Sequence, residues 1–330
     1  MKIFILLLIM MSTTLNLHSK ELSVLFIGNS FTFMNNMPEM FQKIATSNGD
    51  KVVVEHCTKG GMDWKYHVEN DSTYEYIDSR DWDYIVLQAK SWEPAQPRNK
   101  VDANTLPYGQ KLVDAIRRKN PDTRILLYMT WGYQEGMKSY TKANSFYKMY
   151  SILQNEYLRF ADVFTVAISP VGEVWKNIRE LSPQLNLYEA DKFHPNIYGS
   201  YISACTFYVA IFRKRLDFES TFKPASISLE HAKLIQSVSY GTVLNPDKDW
   251  RFYNFPGELE PNIAYEIKGD NILLAADAPG ATKISWYING ELVSNNTFFS
   301  FPIKDLNRVK IKLFAEKGGV VYKSKEKVKL

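Results

Sequence analysis

Two periodicities divide this chain. Over roughly the first two thirds, short apolar runs alternate with longer amphipathic segments. The runs at residues 24–27, 51–56, 83–88, 124–131 and 162–166 have the β-branched and aromatic content of strands buried on both faces. Residues 39–46, 105–119, 143–160, 171–181 and 197–213 instead carry apolar positions at helical spacing. Pro38 falls in a first helical turn, Asn48-Gly49 closes one helix, and Asn120-Pro121 stops another. Strands alternating with helices predict a parallel sheet covered on both faces, that is, a three-layer α/β/α sandwich.

The pattern changes after about residue 218. Residues 219–260 hold a short helical stretch at 228–236 and otherwise read as connecting structure. From residue 261 the chain becomes short strands and turns, with runs at 272–276, 283–288, 297–301, 308–315 and 320–328. Asn289-Gly290 and Gly318-Gly319 are hairpin signals, so a small C-terminal all-β sandwich is expected. At the other end, Lys2 precedes an apolar run at 3–11 that is too short to span a bilayer, and small polar residues follow. The expected organisation is a secretory signal at 1–19, an α/β domain at 20–218, a connecting segment at 219–260 and a β-sandwich module at 261–330.

Composition changes this picture little. The 330 residues are 45% hydrophobic and 23% charged, an ordinary globular balance. A net charge of +4 with no basic run does not call for nucleic acid as a partner. Beyond the leader no apolar run is long enough for stable membrane insertion. Export would permit a disulfide between Cys57 and Cys205, but two free buried thiols fit the sequence as well. These cysteines and the scattered His56, His67, His194 and His231 show no zinc spacing, so no metal is expected.

The candidate chemistry lies at the two ends of the α/β region. The first strand runs into Gly28-Asn29-Ser30-Phe31-Thr32, which puts Ser30 at the carboxyl edge of the sheet, where such folds bind ligands. Gly, Asn and Ser also make ordinary turns. Far downstream, Asp191-Lys192-Phe193-His194 stands at the entrance to an apolar helix. An Asp three residues before a His brings an acid and a base onto one loop, although such a pair can equally cap a helix. A serine nucleophile needs a base to take its proton and an acid to orient that base.

Together, Gly28-Asn29-Ser30 and Asp191-Lys192-Phe193-His194 resemble the nucleophile and terminal blocks of the SGNH/GDSL hydrolase superfamily. The Gly-Asn-Ser-Phe-Thr block resembles a secreted bacterial branch of it, and the likeness spans about residues 22–213. The resemblance implies an SGNH or flavodoxin-like α/β/α fold with Ser30, His194 and Asp191 as the catalytic residues. It also implies an oxyanion hole made by the Ser30 N–H and a glycine of the second block, where either Gly60 or Gly61 matches. Most members have an Asn donor after the third strand. This chain has none there, and Gln88 carries the same amide one methylene further out. Trp131 and Trp92 are candidate substrate-stacking aromatics. Trp286-Tyr287-Ile288-Asn289-Gly290 resembles the small immunoglobulin-like modules attached to secreted enzymes.

The resemblance therefore implies an exported, periplasmic or extracellular serine esterase. It would need no cofactor and would act on an acylated carbohydrate, with O-acetyl groups as the expected target. A lipase or acyl-thioesterase would use the same triad. A non-catalytic carbohydrate-binding protein would use the same scaffold without it.

Overall fold

In the computed structural model, the described residues are 21–330 apart from 246, 256–260, 279–280, 304–308, 318–319, 325–327 and 330. The expected leader and the Gly318-Gly319 turn lie outside them.

Five parallel strands form the centre: β1 (Leu22–Gly28), β2 (Val52–Thr58), β3 (Tyr84–Leu87), β4 (Arg124–Tyr128) and β5 (Ala167–Ser169). Their spatial order is β2-β1-β3-β4-β5, so the chain reverses direction across the sheet beside β1. β1 is an interior strand, so the residues after it emerge at the sheet's carboxyl edge where the strand order reverses. Alternation along the strands feeds two cores. Val24, Phe26, Tyr84 and Val86 face one layer, while Leu25, Ile27, Ile85 and Leu87 face the other.

The first layer contains α1 (Ser30–Phe33), α2 (Met37–Ser47), α8 (Val171–Leu181), α9 (Ile197–Phe212) and α10 (Leu229–Val243). The second contains α3 (Trp64–Glu69), α4 (Asp71–Asp78), α5 (Arg98–Asn104), α6 (Leu106–Lys119) and α7 (Phe146–Phe164). The expected three-layer α/β/α sandwich is the one present.

Two expectations need correction. Residues 162–166 are not a strand: α7 runs on to Phe164, because Tyr157, Phe160 and Phe164 share one buried helical face. The strand of that region is the three-residue β5. Residues 219–260 are not mere connection either. α10 buries Ala232, Ile235 and Val243 in the same core as α9, and Trp250 and Phe255 are buried against the α/β body. The α/β body therefore extends to about Phe255, well past residue 218. The apolar positions of α10 are widely spaced among small polar residues, which hid its length.

Beyond it lie two antiparallel sheets. One is ordered β10-β7-β6, from β6 (Asn262–Lys268), β7 (Asn271–Asp277) and β10 (Phe298–Pro302). The other joins β8 (Lys283–Ile288), β9 (Glu291–Ser294), β11 (Lys310–Lys317), β12 (Val320–Lys323) and β13 (Val328–Lys329). Ile272, Leu274, Ile284, Trp286, Ile288, Ile311 and Leu313 alternate inward to form one separate core. Asn289 (φ 52°) and Gly290 (φ 94°) turn the β8–β9 hairpin in the left-handed conformation that this dipeptide favours.

Candidate active site

β1 delivers Gly28 to the carboxyl edge of the sheet, and the chain turns there at once. Asn29 is extended (φ −133°, ψ −152°), and its side-chain oxygen accepts the Phe31 N–H at 3.1 Å, which caps α1. The Thr32 and Phe33 N–H groups go to the Asn29 carbonyl at 2.9 and 3.2 Å. Ser30 heads the helix, so its own N–H has no partner within it.

The second half of the site is the loop before α9. One oxygen of Asp191 accepts the backbone N–H groups of Phe193 (3.0 Å) and His194 (2.9 Å). Lys192 makes this tight turn at φ +70°. That is a sparsely populated conformation for a residue with a side chain, held here by Lys192 N–H to Glu189 O and Gln134 N–H to Lys192 O. The other Asp191 oxygen lies 2.6 Å from His194 Nδ1, and His194 Nε2 lies 2.7 Å from Ser30 Oγ. With Nδ1–H given to the carboxylate, Nε2 is free to accept the serine proton. Partial burial alone would raise the Asp191 pKa. Hydrogen bonds from the His194 ring and the two N–H groups outweigh it and hold the carboxyl below its ordinary value.

Several contacts tie the two halves together. Asn35, left-handed at φ 55° as Asn tolerates, donates from Nδ2 to Pro195 O at 3.0 Å and to Ser200 Oγ at 2.9 Å. Trp131 Nε1 donates to Phe193 O at 3.1 Å, and its ring stacks on Phe31 at 4.7 Å. Nothing in the sequence pattern singled out Asn35. The only available sign was the Asn35-Asn36 pair at the break between two helices.

The glycine pair divides in two. Met62 N–H closes on Lys59 O at 3.2 Å, with Gly61 at φ +73°, so Gly61 fills the turn position that requires a left-handed residue. Gly60 has no such requirement, and a Cβ there would meet only the Phe33 ring, at 3.8 Å.

Two expected site residues are placed otherwise than the sequence reading supposed. Gln88 is 1% exposed, and its amide is spent inside the fold. The oxygen accepts the Asn29 N–H at 2.8 Å and the Thr32 hydroxyl at 3.1 Å, while the nitrogen donates to Ala89 O. Because Asn29 N–H can only donate, the amide orientation is fixed, and its NH₂ is turned away from any ligand. Trp131 is 0% exposed, sandwiched between Phe31 and Trp175, so it cannot stack on a substrate. Trp92 is half-buried, with the Lys90 ammonium 5.4 Å from its ring centre.

His67 escaped notice in the sequence because its role depends on a partner 39 residues away. It is fully buried, Nε2 donates to Gly28 O at 2.9 Å, and Nδ1 accepts from Thr73 Oγ1 at 3.2 Å. Burial lowers its pKa, partly countered by the Gly28 hydrogen bond and the charge of Asp63, so the ring is neutral. Tyr133, whose hydroxyl bonds Ser91 Oγ at 2.7 Å, is pushed up to about 12 by burial and also stays neutral.

Among the described residues, no three His, Cys, Asp or Glu side chains cluster closely enough to hold a metal ion. Cys57 and Cys205 are both free and buried in the cores on opposite faces of the sheet, which rules out a bond between them.

Residues 65–242 match the family model described as a domain of unknown function, DUF4886. No curated protein matches the sequence. A DUF4886 family protein from Bacteroides uniformis has a crystal structure 22% identical to this chain, with a TM-score of 0.59, covering 72% of this chain and 100% of that one. At that identity the likeness speaks for the fold alone. A candidate SGNH hydrolase from Slackia heliotrinireducens is 24% identical, with a TM-score of 0.46 and coverage of 57% and 98%. An acetyl xylan esterase from Geobacillus stearothermophilus is 14% identical, with a TM-score of 0.40 and coverage of 56% and 92%.

Proposed function

The chain belongs to the DUF4886 family, and from that premise we propose that it is a serine esterase of the SGNH/GDSL type that removes O-acetyl groups from carbohydrate. One observation carries the reading: the unbroken hydrogen-bonded relay from Ser30 Oγ through His194 to Asp191, at 2.7 and 2.6 Å. A serine brought onto an Asp–His pair that lies 161 and 164 residues further along the chain is what nucleophilic acyl transfer requires.

In this mechanism Ser30 Oγ attacks the ester carbonyl carbon as its proton passes to His194 Nε2. Asp191 holds the imidazole and stabilises its cationic form. The tetrahedral oxyanion is received by the N–H of Ser30 and that of Gly60, both on turns set by the backbone. Collapse breaks the bond to the alcohol oxygen, which takes the proton from His194. Water, deprotonated by His194, then attacks the acyl-serine, releases the acid and returns the proton to Ser30. Every proton is moved by a side chain of this site.

A polar alcohol is favoured by the groove beside α1. It has a volume of about 570 Å³ and is lined by Phe33, Pro38 and Val54 together with Asn36, Glu39, Gln42, His56 and Thr58. Three apolar side chains beside hydroxyl, amide, carboxyl and imidazole groups offer the mixed surface that a sugar, with its apolar face and polar rim, fits better than an alkyl chain does. The reading takes the enzyme as exported on the leader-like residues 1–19, with the C-terminal sheets as an immunoglobulin-like accessory module.

The test is hydrolysis of an aryl acetate together with acetate release from acetylated polysaccharides. Ser30→Ala and His194→Ala should each lower kcat by about 10³-fold or more with the fold intact. Near-normal turnover by folded Ser30→Ala would sink the assignment. Preference for long-chain aryl esters, without acetate release from any polysaccharide, would move the substrate to lipid.

A further inference from the structure

The Gly28–Asn29 peptide unit, immediately before the nucleophile, is gripped at both of its polar atoms. Its oxygen accepts from His67 Nε2 at 2.9 Å and from the Lys59 N–H at 3.2 Å. Its N–H donates to Gln88 Oε1 at 2.8 Å. Both side chains are buried, His67 at 0% and Gln88 at 1% exposure, so water cannot substitute for either.

Each gripping group is itself fixed. The Gly28 carbonyl can only accept, so His67 Nε2 carries the proton, and the Thr73 hydroxyl, 3.2 Å from Nδ1, holds the other side of the ring. Gln88 continues the sheet ladder through its own N–H to Ile27 O at 2.9 Å, and its amide nitrogen is anchored on Ala89 O. The approach is close enough that position 28 must be glycine. A Cβ there would stand 2.6 Å from both Gln88 Oε1 and Thr32 Oγ1.

We propose that Gln88 and His67 are positioning residues that clamp this peptide plane and so aim the Ser30 hydroxyl and N–H. Position 88 then works as a hydrogen-bond acceptor toward the backbone, not as a donor to the oxyanion. The inference rests on Ser30 being the nucleophile. A peptide plane free to rock would swing the next residue, and small misplacements of reacting groups carry large rate costs. Binding of substrate, which depends on surfaces elsewhere, would be spared.

Two substitutions test the acceptor role of position 88. Gln88→Met keeps the stem and loses the acceptor. Gln88→Glu keeps an acceptor for the Asn29 N–H and, protonated in so dry a place, offers its O–H to Ala89 O in the manner of the amide. The full-length protein is tested with p-nitrophenyl acetate and with a fluorophosphonate that labels the nucleophilic serine. Gln88→Met should lower kcat and the labelling rate by roughly 10–100-fold with KM little changed, and Gln88→Glu should recover most of the loss. His67 separates the clamp from direct donation to the oxyanion, because its Nε2–H is spent on Gly28 O: His67→Phe, which loses that donor, should fall in kcat below His67→Gln, which retains one.

Glu below Met, or a folded Gln88→Met at wild-type rates, overturns the clamp. If Gln88→Met does not fold, the same readouts on His67→Gln, which retains a donor, and His67→Phe, which does not, decide it. Equal kcat in those two refutes the proposal. Labelled wild-type protein with an unaffected clamp variant sinks the clamp alone. Wild-type protein that is never labelled at Ser30 sinks the esterase reading along with it.

Discussion

Trp131 was expected to face substrate and is instead a buried strut between the two halves of the site, which makes its replacement informative. Its ring stacks on Phe31 at 4.7 Å and 6°, one residue after Ser30, and on Trp175 at 3.9 Å and 7°. Its Nε1–H holds the carbonyl of Phe193, one residue before His194. Trp131→Ala would empty a fully buried site at a cost of about 3–5 kcal/mol, a large share of the ~5–15 kcal/mol that stabilises a typical domain.

Trp131→Phe is the sharper probe. It keeps a ring against Phe31 but leaves the Phe193 carbonyl without its donor, which costs about 1–3 kcal/mol. The lost part of the indole adds about 1.5 kcal/mol of burial, at about 0.8 kcal/mol per methylene-sized group. The sum, about 2.5–4.5 kcal/mol, should appear in a denaturant titration. The released loop should also lower kcat on an aryl acetate by roughly 10–100-fold at little-changed KM. Trp175→Phe is the control. It removes a similar part of a ring from the far side of Trp131, touching neither Phe31 nor Phe193, so it should lose stability but keep kcat. A stable, folded Trp131→Phe with wild-type kcat would refute the strut.

Two more outcomes follow from backbone and packing. Gly61→Ala, forced to φ +73°, should lose about 1–2 kcal/mol and some activity, whereas Gly60→Ala keeps its N–H and should stay within about 0.5 kcal/mol and near wild-type kcat; the reverse order in melting and aryl acetate assays would overturn the turn assignment. A chain ended after Phe255 should melt cooperatively and retain aryl acetate turnover, because the described cores of the α/β body and of the C-terminal sheets share no residue; aggregation or lost turnover would show that the sheets complete the body.

The sequence made the sheet legible because its strands are short, apolar and bounded by turn residues, as at Tyr84–Leu87. Helices with one strong apolar face, such as Val171–Leu181, were equally plain. α3, α4 and α5, of six to eight residues, were not, because two turns of helix give periodicity too few positions to register. The pairing of Ser30 with His194 and Asp191 was foreseeable only as a joint pattern of residue types. The contacts that hold it were not: Asn35, His67 and Trp131 each donate to a backbone carbonyl, and a carbonyl leaves no mark in the sequence.

Gln88 shows where reading by residue type goes astray. An amide at the end of the third strand suggests a ligand-facing donor because the superfamily that the chain resembles commonly has one there. Strand parity argued otherwise. Tyr84 and Val86 face the layer that holds α1, Ile85 and Leu87 face the opposite layer, and alternation carries position 88 back toward α1. There the amide meets Thr32 and the Asn29 N–H, the groups that shape the nucleophile's turn. With that side chain committed, the proposed mechanism leaves the oxyanion to backbone N–H groups, whose directions depend on neighbours: Asn29 as a cap, Gly61 at its left-handed turn, and Gly28, where no larger residue fits. On that reading kcat in this site should answer to residues that hold those N–H groups and never touch substrate.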